Sequence, residues 1–173
     1  MRESAFVGGA IKTLQIQEEL FQEQMAFDLN VSPQLISHMK NNRRKMQQDV
    51  AKQSLLTYDN PIYSMQILYE FSNGMTPPVL SGKSVERHRL AIEELAINEA
   101  REAIQILDEV SLVKPPAETN KEERERIGQV IDEISDAIMA LTNLKAILGE
   151  EYNISLKQRS EKRLPVWKAK GWI

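Results

Sequence analysis

Lys40-Asn41-Asn42-Arg43-Arg44-Lys45 places four cations in six residues. Side chains of that type and density suit the phosphate oxygens of a nucleic-acid backbone, which they hold without reading its sequence. The competing interpretation is a solvated charged loop. No catalytic constellation accompanies the run. Gly8-Gly9 is not followed by the Lys-Ser or Lys-Thr of a phosphate loop. There is no serine elbow, and no paired carboxylates fall in a cleft pattern. The chain contains no cysteine, so disulfides and thiolate sites are excluded. His88 stands on an apolar stripe without His, Asp or Glu at metal-ligand spacing, which reads as a core or interface histidine. No enzymatic activity, cofactor or metal is expected.

The segment before the cations has the spacing of two short helices and a turn. Met25, Ala26 and Leu29 recur at three to four residues, the period of one buried helical face. Asn30 interrupts that face, and Asn tolerates the left-handed conformation of a sharp turn. Ser32 can accept a bond from a free amide at the start of a second helix, and Pro33 suits its first position. Ile36 and Met39 continue the buried face.

The run from Ile11 to about Tyr58 resembles the Cro and phage-repressor (XRE) family of helix-turn-helix domains, over roughly a third of the chain. Gln22 matches the start of the first motif helix, Ala26 its small central residue, and Asn30-Val31 the turn with its aliphatic. Ile36 and Ser37 match the recognition helix. Phe21 departs from the pattern where a capping Ser, Thr or Asn is common, as do Lys40 (often Glu) and Asn42 (often Gly). The resemblance implies that Ser32, Pro33, Gln34, Ser37 and His38 lie on the exposed start and outer face of the recognition helix. Gln34 would then pair with an adenine edge, with Ser37 and His38 as further donors or acceptors. Gln22, Lys40, Asn41, Arg43, Arg44 and Lys45 would meet phosphates. Plain solvated surface is the alternative for all of them.

The formal net charge of −3 divides unevenly along the chain. Residues 1–60 hold seven basic and seven acidic side chains, residues 61–155 nine and seventeen, and residues 156–173 six and one. The acidic middle therefore masks a locally basic N-terminal part, and local potential governs association. No stretch reads as a signal peptide or membrane span, so a cytoplasmic protein without membrane contact is expected.

Periodicity predicts an all-α chain. Five helices fill residues 1–74, the helix-turn-helix domain. The first covers about Gly9–Leu20, with Ile11, Leu14 and Ile16 or Leu20 inward. A fourth covers Gln48–Tyr58, and a fifth runs from the Asn60 cap to Asn73-Gly74. Tyr58, Tyr63, Tyr69 and Phe71 are expected at the seam between this head and the helices that follow. Residues 75–82, around Pro77-Pro78, read as a linker. Residues 83–150 read as a long antiparallel helical hairpin, with helices over about Ser84–Leu112 and Asn120–Leu148. Thr119 and Glu122 would form a capping box, and Gly149 a stop. Leu90, Ile97 and Ile104 make a second apolar stripe at seven-residue intervals. Two stripes need two partners, so the hairpin is expected to oligomerise through Ile92, Leu95, Ile127, Ile131, Ile134, Ile138 and Leu141. Residues 151–173 form a basic tail whose Trp167 and Trp172 are expected to pack back onto the acidic helices.

Joined together, these features predict a sequence-specific regulator, a repressor of phage or mobile-element type, bound as a homo-oligomer to double-stranded operator DNA. The alternative is an interaction adaptor or antirepressor that engages a protein partner through the hairpin or tail.

Overall fold

Left-handed asparagines and side-chain caps set most of the helix ends in the computed structural model, which describes residues 2–173. The chain is predominantly helical, with eight α-helices and one two-stranded sheet among the described residues. It divides into two units: residues 2–79 with 148–173, and residues 80–147. The C-terminal residues thus belong with the N-terminal unit and are not a separate tail.

In the first unit, α1 (Gly8–Gln17) packs on α3 (Pro33–Lys40) and α5 (Pro61–Ser72), while α2 (Gln22–Asp28) packs on α3 and α4 (Gln48–Thr57) on α5. The core joins Ile11 and Leu14, Met25 and Ala26, Ile36 and Met39, Ala51, and Tyr63, Ile67 and Phe71 from the five helices. α1 stops at Gln17, short of the expected Leu20, which lies beyond the helix end and is partly buried against the core, while Ile16 is 78% exposed. The reason is angular: five residues on, Ile16 lies about 140° around α1 from Ile11.

β1 (Ser4–Ala5) and β2 (Met46–Gln47) pair antiparallel, Ser4 with Gln47 and Ala5 with Met46. This short ladder ties the N-terminus to the strand that leaves α3. Arg2 adds a side-chain hydrogen bond to Asn73, and its amide donates to the Phe71 carbonyl at 2.9 Å.

Asn60 caps α5 by accepting from the Tyr63 amide at 2.8 Å. Its own amide donates to Gln17 at 3.1 Å and Glu18 at 2.8 Å, locking the start of α5 to the end of α1. Tyr58 and Tyr63 meet edge to face at 6.2 Å. With Phe71 they belong to the core of this unit.

α8 (Leu156–Ala169) replaces the expected tail. Ser155 caps it, accepting from the Gln158 amide at 3.0 Å. Trp172 is 65% exposed, with Lys170 Nζ 4.3 Å from its ring centroid, and Trp167 is half-buried. Gly149 lies inside α7 and stops nothing. A Cβ there would come to 3.0 Å from the Leu156 side chain, which would have to give way by a few tenths of an ångström, and Asn153 takes the left-handed turn instead.

The second unit is an antiparallel pair, α6 (Arg89–Glu109) and most of α7 (Lys121–Glu151). Arg126 bridges to Glu109 at 2.8 Å, and Glu133 of α7 faces Glu99 and Glu102 of α6. The buried faces are rich in alanine: Ile92, Ala96, Ala103 and Ile106 on one helix, Val130, Ala137 and Ala140 on the other.

α6 is shorter than expected because His88 is its cap and not a stripe residue. Its Nδ1 accepts from the Leu90 amide at 3.4 Å. The capping box of α7 is shifted by one residue, to Asn120 and Glu123. The Asn120 amide donates to Glu123 at 2.7 Å, and the Glu123 amide returns to Asn120 at 2.9 Å. Lys114 lies 2.9 Å from the Glu123 carboxylate and holds it below the usual range. No helix among the described residues is long and apolar enough to cross a membrane.

Candidate nucleic-acid interface

α2 ends at Leu29, and Asn30 turns the chain at φ 51°. The Val31 amide donates back to the Ala26 carbonyl at 2.9 Å, so the turn is closed by backbone alone. Ser32 then caps α3, accepting from the Leu35 amide at 3.2 Å, with Pro33 in the first turn. Phe21 gives α2 no side-chain cap and is 77% exposed.

Helical geometry sorts the residues of α3. Ile36 and Met39 are buried and Leu35 partly so. At about 100° per residue, Gln34, Ser37, His38 and Asn41 fall together on the opposite side. Gln34 and Asn41 are exposed, and Ser37 and His38 half-buried. Pro33 and Lys40 sit on the flank of that face. Ser32 is exposed, but its hydroxyl is engaged by the cap. Gln22 is half-buried at the first position of α2, beside the exposed Glu23.

The loop after α3 is fixed by backbone bonds. The Arg43 and Arg44 amides both donate to the His38 carbonyl, at 2.8 and 3.2 Å. The Asn41 side chain donates to the Ser37 carbonyl at 2.9 Å. Asn42, at φ 54°, accepts from the Gly8 amide at 2.9 Å. Arg43 and Arg44 are exposed beside a helix C-terminus, where positive charge is favoured. Lys45 stands 5.3 Å from the Phe6 ring centroid.

From Leu29 to Gln48 the chain has four cations and no carboxylate. Of the flanking acids, Asp28 is engaged on both oxygens, by Tyr58 at 2.9 Å and Gln24 at 2.7 Å. Burial, together with that bond and charge, pushes the Tyr58 phenol above its ordinary range. The resulting surface offers uncharged hydrogen-bonding groups on a helix face and cations on the adjoining loop.

Three supporting features escaped sequence reasoning: the Asn42–Gly8 bond, the β1–β2 ladder and the Phe6–Lys45 contact. Only the Asn-Asn pair before the arginines hinted at the first. Among the residues expected to oligomerise, Ile131, Ile138 and Leu141 are exposed. Leu95, Ile127 and Ile134 are half-buried. Ile92 is 2% exposed and packs inside the second unit, so it offers no free surface. No protein-family model, curated protein or solved structure matches the chain.

Proposed function

We propose that the chain is a sequence-specific DNA-binding regulator of Cro and phage-repressor type, without enzymatic activity, in which α2, its turn and α3 form the reading head. One observation carries this reading. The outer face of α3 presents Gln34, Ser37, His38 and Asn41, and the next residues present Arg43 and Arg44, with no carboxylate from Leu29 to Gln48. A helix of that kind enters the major groove, where Gln34 can pair with adenine N6 and N7 while the loop cations hold phosphates. Regulation would follow from occupancy of an operator. Two heads joined through the second unit would read half-sites about 34–36 Å apart.

Selection of bound sites from random duplex DNA tests the reading, with wild type and Gln34→Ala/His38→Ala in parallel. An enriched palindrome that the double variant loses supports it. Absence of any enriched sequence at moderate salt sinks it.

A protein-interaction adaptor is the second reading. It is favoured by the apolar side chains that the second unit exposes, Leu90, Ile97 and Ile104 on α6 among them, and by exposed Trp172. A stable hetero-complex formed by a protein without DNA preference would select it.

A further inference from the structure

α7 carries two apolar faces, one buried and the other only partly covered, with Ile127 and Ile134 half-buried on it. Val130, Ala137 and Ala140 are buried. Ile127, Ile131, Ile134, Ile138, Leu141 and Lys145 alternate at four and three residues, the a and d positions of a heptad seam. On that seam Ile131 is 60% exposed, Ile138 48% and Leu141 47%. The seam runs about 27 Å along the helix.

Charge is sorted around the same helix. Between Ile127 and Lys145 the carboxylates are Asp132, Glu133 and Asp136. All three lie at least about 110° around the axis from the seam's centre. Thr142 and Ser135, small and neutral, border the seam on one side. A solvated face has no reason to exclude every carboxylate while keeping five aliphatic residues. A helix packed against an equally apolar helix does.

We propose that this seam is covered by the same seam of a second copy of the chain, with the two α7 helices antiparallel. Lys145 decides the orientation. Parallel helices would set both Lys145 side chains in one layer, where like charges repel. The antiparallel arrangement pairs Ile134 with Ile138, Ile131 with Leu141 and Ile127 with Lys145, each across the two-fold axis. Each ammonium then stands at an outer end of the seam, one turn from Glu123 of the second copy and about 27 Å from its twin. The interface is self-complementary and closes at two copies. It deepens the oligomeric part of the functional reading but rests on α7 alone, and it is measured without DNA.

Sedimentation equilibrium of the full chain at micromolar concentration should give twice the chain mass. Ile134→Asp and Ile138→Asp should each weaken the dimer at least 100-fold with helical circular dichroism retained. Since the natural chain has no cysteine, single replacements report orientation even if the Asp variants fail to fold. Ile131→Cys mixed with Leu141→Cys should form the mixed disulfide efficiently, and Lys145→Cys should not cross-link to itself. A monomeric wild type overturns the proposal. So does ready self-cross-linking of Lys145→Cys, a trimer, or an Ile138→Asp variant that dimerises like wild type. A loss of DNA selectivity with the dimer intact would fail the functional reading and leave this one standing.

Discussion

The Gly8 amide donates to Asn42 Oδ1 at 2.9 Å, joining the first turn of α1 to the loop that follows α3. Gly8 has no room for a side chain, because a Cβ would sit 2.5 Å from the Lys40 carbonyl oxygen and 2.6 Å from Asn42 Oδ1. The left-handed Asn42 and the missing Cβ together set where Arg43 and Arg44 begin.

Gly8→Ala should therefore force the loop away from α1, at a cost on the order of 1–3 kcal/mol, as overpacking does elsewhere. Chemical unfolding measures that cost. Asn42→Gly keeps the turn geometry but removes the acceptor, so it should destabilise less than Gly8→Ala. Equal stability of Gly8→Ala and wild type would show that the contact is slack.

Ala26 is 3% exposed where α2 crosses α3. Ala26→Leu should overfill the crossing and cost about 1–3 kcal/mol. Unchanged thermal unfolding of this variant would remove the packing basis for the two-helix head. Phe27→Leu, at an 84% exposed neighbour on the same helix, is the control expected to leave stability unchanged.

The Tyr63 hydroxyl donates to Ser54 Oγ at 2.8 Å, and the Ser54 hydroxyl in turn donates to the Ala51 carbonyl at 2.8 Å. Burial raises the Tyr63 phenol to about 12, opposed by the bond to Ser54. The folded state therefore keeps this proton where the unfolded chain, with its ordinary value near 10, gives it up. Stability should be full below about pH 10 and fall as pH rises towards 12. Tyr63→Phe should flatten that alkaline loss in pH-dependent unfolding. Ser54→Ala should cost more at neutral pH than Tyr63→Phe, about 1–3 kcal/mol, because it strands a buried hydroxyl.

Glu99 faces Glu102 on its own helix and Glu133 and Asp136 of α7. Its carboxyl is held above the ordinary value, first by burial and then by those three charges. A carboxyl raised on folding takes up its proton earlier in the folded state. Stability is therefore gained as pH falls through its titration and lost as pH rises. Glu99→Gln should therefore stabilise the second unit more at neutral pH than in mild acid. A thermal midpoint that falls steadily on mild acidification, alike in both proteins, would contradict the repulsion between these four groups.

What could be read from the sequence were features fixed locally. Asn30, Ser32 with Pro33, and Asn60 each announce a turn or cap through their own chemistry, and each sits where expected. Two adjacent residue sets compete before α7: Thr119 and Glu122 have the box spacing, but so do Asn120 and Glu123. The choice falls to Asn120 because the Thr119 hydroxyl donates to the Pro116 carbonyl at 2.7 Å. His88 misled because an imidazole on an apolar period looks like core, yet its nitrogen caps a helix. The β1–β2 ladder is two residues long, below any detectable alternation. Gly149 looks like a stop, but it lies close to Leu156, which periodicity cannot bring near.

Arg43, Arg44 and Lys45 offer the sharpest separation of grip from reading. Arg43 and Arg44 are exposed with their backbone held to His38, so their side chains are available to phosphates. Lys45 already sits over Phe6. On the DNA-binding reading, Arg43→Ala and Arg44→Ala should each reduce the slope of log affinity against log salt by about 0.9 and weaken all duplexes alike. Lys45→Ala should change it less. Gln34→Ala should leave the slope intact while costing about 1–3 kcal/mol of discrimination at one base pair. Titrations of selected and scrambled duplexes at several salt concentrations separate these effects. If Arg43→Ala altered sequence preference while Gln34→Ala altered only the salt slope, the assignment of α3 to bases and its following loop to phosphates would be reversed.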